Sequence, residues 1–440
     1  MLDILAHRTY RHLFCAQVIA LIGTGLATVA LALLAYDLAG DNAGAVLGTA
    51  LAIKMVAYVG IAPVAAAFAE RLPRRTMLVA LDLVRAAVAL LLPFVTELWH
   101  VYVLIFVLQS ASAAFTPTFQ ATIPDVLPDE KEYTRALSLS RLAYDLESLL
   151  SPMLAAALLT VVGFHDLFAG TVVGFLVSAA LVVSVVLPNP RAGAARGMFE
   201  RTTRGMRIYL ATPRLRGLMG INMAVASAGA LIIVNTVVFV QGGFGLGQSE
   251  TALALAAFGG GSMLAALALP PLLDNILDRT LMLAGACAVA VGALTAAAVT
   301  SYAWMLLLWA AIGAGYSLAQ TPTGRLLRRS ARPEDRPSLF AAQFALSHAC
   351  WLITYPVAGW AGAAFGLATT SIALALLSGI AVAAAAWLWP AGDPEVISHT
   401  HDGLPADHLH WRQGRARDGV NRHAHIFVID DLHATWPHVR

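Results

Sequence analysis

Apolar residues in this chain fall into twelve long runs separated by short polar breaks. The runs cover 12–36, 44–69, 76–96, 99–121, 136–161, 166–188, 215–240, 250–273, 280–299, 302–324, 338–363 and 367–389. A hydrocarbon core of about 30 Å is crossed by about 20 helical residues, so each run is long enough to span it. The runs are continuous and rich in Ala and Leu, which predicts helices and not the alternating pattern of barrel strands. The first run is too long for the apolar core of a signal peptide and reads as a retained span.

The pattern also repeats. Thr116-Pro117-Thr118 returns as Thr321-Pro322-Thr323, Arg75-Thr76 as Arg279-Thr280, and Pro152 as Pro356. Pro128-Asp129-Glu130 returns as Pro333-Glu334-Asp335. A duplicated membrane protein is the pattern of secondary transporters, whose substrate path lies between the halves. The expected fold is therefore an all-α membrane protein of twelve transmembrane helices in two pseudo-symmetric six-helix bundles, 1–190 and 215–390. A linker, 191–214, joins them, and a polar tail, 391–440, follows. In the linker, Met198, Phe199, Met206, Ile208, Tyr209 and Leu210 are expected on one face of a short amphipathic helix, with arginines resting on anionic headgroups.

Composition agrees: 59% of residues are hydrophobic, 12% are charged, and the mean hydropathy is +0.72. The net charge of +2 hides a sided distribution. The turns at 37–43, 97–98, 164–166, 241–249, 300–301 and 364–367 hold no Lys or Arg, whereas the opposite turns hold nearly all of them. By the positive-inside rule both termini are expected in the cytoplasm. Cys15, Cys287 and Cys350 all fall in predicted spans and offer no disulfide framework.

Between the second and third runs stands Ala66-Ala67-Phe68-Ala69-Glu70-Arg71-Leu72-Pro73-Arg74-Arg75. It resembles the signature loop of the major facilitator superfamily, G-x-x-x-D-R-x-G-R-R, with Ala66, Glu70 and Pro73 as departures. Asp274-Asn275-Ile276-Leu277-Asp278-Arg279 is a weaker second copy. Within that superfamily the chain resembles the proton-driven exporter branch that includes enterobactin exporters and macrolide pumps. Tyr10-Arg11-His12-Leu13-Phe14, Asp82-Leu83-Val84-Arg85-Ala86 and Pro117-Thr118-Phe119-Gln120-Ala121 carry that likeness. The histidine-rich tail is similar to that of nickel-resistance transporters of the same branch.

The resemblance implies a conformational latch at Glu70, Arg71, Arg74 and Arg75, mirrored by Asp274, Asp278 and Arg279. There, an acid near a helix N-terminus and an arginine reaching a carbonyl end or another acid form a breakable contact. The alternative is that these arginines only fix topology. Asp82 and Arg85 belong either to the latch network or to a local i,i+3 pair.

Ionisable residues inside a membrane cost about 2.5–3.5 kcal/mol each on insertion scales, so they ask for a reason. Lys54 lies mid-span and is one of two lysines in the chain. Arg141 and Asp145 can pair on one face of the fifth span, while Glu147 points elsewhere. Lys54 with Asp145 or Glu147 is the expected proton-coupling element. Gln17, Gln109, Asn222, Asn235, Gln343 and His348 are the other candidates, either lining a substrate cavity or bonding helix to helix.

Eight of thirteen histidines lie between His399 and His438. His399/His401, His408/His410 and His423/His425 are His-x-His pairs, His433 and His438 stand alone, and Asp402, Asp407, Asp430 and Asp431 lie among them. In an extended chain, residues i and i+2 share a face, so each pair can present two imidazoles to one divalent transition metal. The stretch from His425 to Ile429 is apolar enough to dock on the transporter body.

The expected function is a monomeric secondary transporter of the bacterial inner membrane, exporting a small solute by proton-coupled alternating access. Amphipathic organic compounds are favoured. A nickel-like metal exporter and a non-transporting membrane sensor or scaffold are the alternatives. No cofactor is required and no nucleic-acid partner is indicated. No nucleophile–base constellation, cofactor loop or nucleotide motif appears, so an enzyme is not expected.

Overall fold

A computed structural model describes residues 2–39, 43–69, 72–188, 197–401, 415–416 and 422–437. The first half contains α1 (Arg8–Ala39), α2 (Ala43–Ala69), α3 (Arg74–Leu91), α4 (Leu98–Val126), α5 (Glu130–Leu158) and α6 (Phe164–Val183). The linker forms α7 (Met198–Ala211). The second half contains α8 (Pro213–Val237), α9 (Gln248–Leu273), α10 (Asp278–Ala296), α11 (Tyr302–Gln320), a short α12 (Thr323–Ser330) and α13 (Arg336–Leu388). The last two predicted spans are the two arms of α13, which bends at Gly366, where φ is +81°. That conformation is open to glycine at little steric cost.

Among the described residues, nine helices are long and apolar enough to cross a membrane. The other three predicted spans fall on α2, α5 and the first arm of α13. The described apolar stretch of α2 is Ala52–Phe68. α5 is interrupted by Arg141, Asp145 and Glu147, and the first α13 arm carries Gln343, Ser347 and His348. These three helices meet across the two halves, α2 against α13 and α5 against α9. The polar residues of α5 and of the first α13 arm suit a surface that faces protein and not lipid.

Helix starts follow local chemistry. Asp129 caps α5 by accepting from the Glu132 N–H at 2.9 Å. Asp166 reaches back to the Gly163 N–H at 3.0 Å ahead of α6, and α8 opens on Pro213, whose missing N–H costs nothing there. In the first half α1 packs on α5 and α6, and α3 on α4 and α6; in the second, α8 packs on α13 and α9 on α11.

The linker does not expose a simple basic face. Arg204, Gly205, Ile208, Tyr209 and Thr212 form its buried stripe, whereas Phe199 is 82% exposed and Leu210 is also exposed. At about 100° per residue the buried stripe and the Phe199/Leu210 side lie on opposite faces, so the expected single apolar face is split in two. Ile208 and Tyr209 join the core of the second half, as do Ile397, Phe427 and Ile429 of the tail.

The tail adds what the all-helical expectation lacks, a small antiparallel sheet. Its strands are β1 (Val396–Thr400), β2 (Arg415–Ala416) and β3 (Arg422–Ile426), in the order β1-β3-β2. In the β1–β3 register His399 sits opposite His423. Phe427, Val428 and Ile429 leave β3 into buried positions, which docks the tail.

Candidate transport site and gate

At the arginine-rich face the halves are joined by charge. Asp125, at the end of α4, is held at 2.6 Å both by Arg74 of its own half and by Arg336 of the other. Arg325 of α12 reaches Glu130 at 2.8 Å and donates to the Thr134 hydroxyl at 2.8 Å, while its Nε lies 3.1 Å from Asp278. Arg328 donates to the Pro128 carbonyl and stacks over Tyr133. The approach is close: a side chain at Gly324 would meet the Tyr133 hydroxyl at 2.5 Å. Together these contacts tie the two halves to each other at this face.

This network between the halves has members that the signature loop does not reveal: Asp125, Glu130, Arg325, Arg328 and Arg336. In the sequence they look like any other topology-setting charge. Glu70 and Arg71 lie outside the described residues. Arg74 is buried in the latch, whereas Arg75 is exposed and has no ion pair among the described residues. Asp278 lies at the root of the network, but Asp274 is exposed. Arg279 works within its own half, donating to the carbonyls of Trp389 at 2.7 Å and Ala386 at 3.0 Å at the end of α13. Cations favour that end of a helix.

Asp82 and Arg85 also stay within one half. They pair with each other, Ser178 of α6 donates to Asp82 at 2.8 Å, and the Arg85 guanidinium lies over Phe115 and Phe175. This triangle pins α3, α4 and α6 together and does not touch the second half.

Deeper in the membrane a second constellation crosses between the halves. Along α5, at about 1.5 Å per residue, Arg141 lies about 17 Å and Glu147 about 25 Å beyond Glu130. Arg141 donates through Nε to Asp145 and to Ser262 of α9, each at 3.1 Å, and stacks over Tyr316 of α11. The Arg141–Asp145 pair is thus a bridge between halves. Lys54 of α2 lies over the Tyr58 ring, 5.5 Å from its centroid, and is near enough for its charge to act on Glu147 of α5. Tyr58 packs against Phe344 and, edge-on, against His348 of α13 at 4.7 Å. His348 donates from Nδ1 to the Phe344 carbonyl at 2.7 Å. The structure brings Lys54, Glu147, Tyr58 and His348 to one place and leaves Asp145 with Arg141.

The remaining polar candidates divide. Asn222 and Gln343 form a buried knot with Tyr209 and Gln320, in which the Tyr209 hydroxyl donates to Gln343 at 2.7 Å. This knot ties the linker helix to α8, α11 and α13. Asn235 donates to the Ala358 carbonyl at 3.2 Å, and Gln17 accepts from Ser140 at 3.1 Å. These four bond helix to helix. Gln109 is half-buried on α4.

Five of the seven tail histidines singled out above are gathered on the small sheet: His399, His401, His423, His425 and His433. His408 and His410 lie outside the described residues. Burial pushes the His399 imidazole down to about 4 against the pull of the Ile397 carbonyl, and burial with neighbouring imidazoles takes His423 to about 4. Burial alone would raise Asp430, but His433 and Arg332 outweigh it and hold the carboxyl well below its usual range.

Two helical bundles of long apolar helices, joined by ion pairs at one face and by polar contacts deeper between them, make a multi-pass membrane protein. Residues 13–275 and 217–417 match the Major Facilitator Superfamily, and the chain belongs to it. Macrolide efflux protein A of Streptococcus pyogenes is 25% identical over 182 residues, 40% of this chain and 44% of that protein. The chain thus spans less than half the length of that curated relative. The human organic anion transporter MFSD10 (TETRAN) superposes with a TM-score of 0.73 at 12% identity, covering 86% of this chain and 99% of the other. The fucose:proton symporter FucP of E. coli gives 0.69 at 13%, covering 87% and 98%. These structural likenesses establish the fold.

Proposed function

We propose that the protein exports an amphipathic organic solute in exchange for protons, with its arginine-rich face in the cytoplasm. The observation that carries this reading is the Lys54–Glu147–Tyr58–His348 constellation, set at membrane depth on the boundary between the halves. A carboxylate within the field of an ammonium gains attraction when ionised and loses it when protonated, so one proton changes the electrostatic balance between α2 and α5. Aromatic surface around it, Tyr58 against Phe344 and Tyr316 against Phe258, suits an apolar solute with a polar end. The likeness to a macrolide efflux protein supports export of organic compounds.

Export of a divalent metal is the second reading, and the tail histidines are the observation that favours it. Among the described residues, however, the groups of three or more metal-ligating side chains lie in the tail and not between the bundles. Inside-out vesicles holding a proton gradient decide between the two. Addition of a macrolide or a cationic dye is expected to dissipate the gradient, and Glu147→Gln is expected to abolish that response. A response to nickel or zinc and to none of the organic compounds would overturn the proposal.

A further inference from the structure

In the tail, three imidazole nitrogens converge. The Nε2 atoms of His399 and His401 are 3.1 Å apart, those of His433 and His399 3.0 Å, and those of His433 and His401 3.2 Å. The opposite ring nitrogens explain which atoms carry protons. His433 Nδ1 faces the Asp430 carboxylate at 2.8 Å, and His399 Nδ1 faces the Ile397 carbonyl at 3.1 Å. Both partners are pure acceptors, so in each neutral ring the proton sits on Nδ1 and Nε2 carries a lone pair. Two lone pairs then converge at close range, an arrangement that a cation lying between them would stabilise. Two nitrogens bound to one tetrahedral metal at about 2.0–2.1 Å lie about 3.3–3.4 Å apart, close to the spacing found here.

We propose that His399, His401 and His433 bind one divalent transition metal ion, of the class of Zn²⁺, Co²⁺ and Ni²⁺ that neutral imidazoles prefer. The Asp430–His433 contact is the carboxylate–histidine arrangement that orients metal-binding rings and raises their basicity. His399, His423 and His425 form an adjoining group whose ligand atoms lie within 4.8 Å of one another. The site is anchored to the gate. Asp430 also pairs with Arg332 at 2.5 Å, Asp431 with Arg204 at 2.7 Å, and Glu395 with Arg329 at 3.3 Å. Arg329 and Arg332 flank the end of α12, the helix whose Arg325 and Arg328 close the latch. A metal held by β1 and by His433 therefore stiffens the segment that rests on that helix, and its class of action is a metal-responsive brace of the gate, separate from the transport path.

The test uses the full chain, purified without a histidine tag, stripped with chelator and titrated with Co²⁺. The expected result is visible d–d absorption that saturates near one equivalent and is bleached by Zn²⁺. His399→Ala and His433→Ala are each expected to weaken binding by more than about tenfold, and Asp430→Asn by about 10–100-fold. His100→Ala, at the opposite face, is expected to leave binding unchanged. His401→Ala, which spares the Asp430–Arg332 contact, guards against loss by misfolding. No cobalt spectrum with the wild-type chain, or equal binding in wild type and in the His399, His401 and His433 variants, would overturn the proposal.

Discussion

Asp125 and Arg336 lie 2.6 Å apart across the boundary between the two halves, and Arg74 approaches the same carboxylate from the other side. One acid thus accepts one arginine from each half. The pair is largely buried, so its loss removes more than a surface ion pair would.

Opening of the arginine-rich face is therefore expected to become easier in Asp125→Asn and Arg336→Ala. A loss of about 1 kcal/mol from the closed state shifts the equilibrium about fivefold. Spin labels at Glu132 and Glu334 report this directly, as growth of a longer-distance population. An unchanged distance distribution in both variants would remove the pair from the gate. Arg75→Ala, at an exposed position, is expected to leave the distribution as it is.

The proposed coupling through Lys54 and Glu147 is tested separately from the gate. Glu147→Gln and Lys54→Ala are each expected to abolish proton-driven transport while protein levels stay near normal. Transport that still follows a pH gradient in both variants would show that protons enter elsewhere.

The Asp82–Arg85–Ser178 triangle is expected to affect stability and not coupling. Asp82→Ala leaves a buried arginine without its acid, at a cost of about 3–5 kcal/mol. Pairing it with Arg85→Leu is expected to restore much of the lost thermal stability, because no buried charge then remains. A double variant less stable than either single one would contradict this account.

Orientation is checked by reporter fusion. A reporter active only outside the cytoplasm is expected to be silent after Arg440 and active when inserted near Gly245. The reverse pattern would turn the molecule over and place the latch on the outer face.

The spans and the twofold organisation were legible because each is written locally, in continuous apolar runs and in Thr-Pro-Thr or Arg-Thr marks that recur. The latch was only half legible. Arg336 and Asp125 are 211 residues apart, and Arg325 and Thr134 are 191 apart, so nothing near either residue announces its partner. An arginine that fixes topology and one that closes a gate look alike in sequence. Asn222 and Gln343 show the same ambiguity: an amide inside a membrane span either faces a path or bonds a neighbour, and the neighbour here is Tyr209 of the linker. In the tail the His-x-His spacing was readable. The turn that brings His433 back onto β1 depends on Asp430, which accepts from the N–H groups of Leu432 and His433, and spacing alone does not show it.

Arg204 has a consequence in time. Its guanidinium is 1% exposed and is gripped by Asp335 and Asp431, which follow it by 131 and 227 residues. At about 5–20 residues per second, the second of these emerges from the ribosome about 10–45 s after the arginine itself. Until then the linker carries a cation whose set of final partners is incomplete. The first bundle must then rest in the bilayer with its connection to the second unfinished, and assembly of this surface ends only as the tail is made.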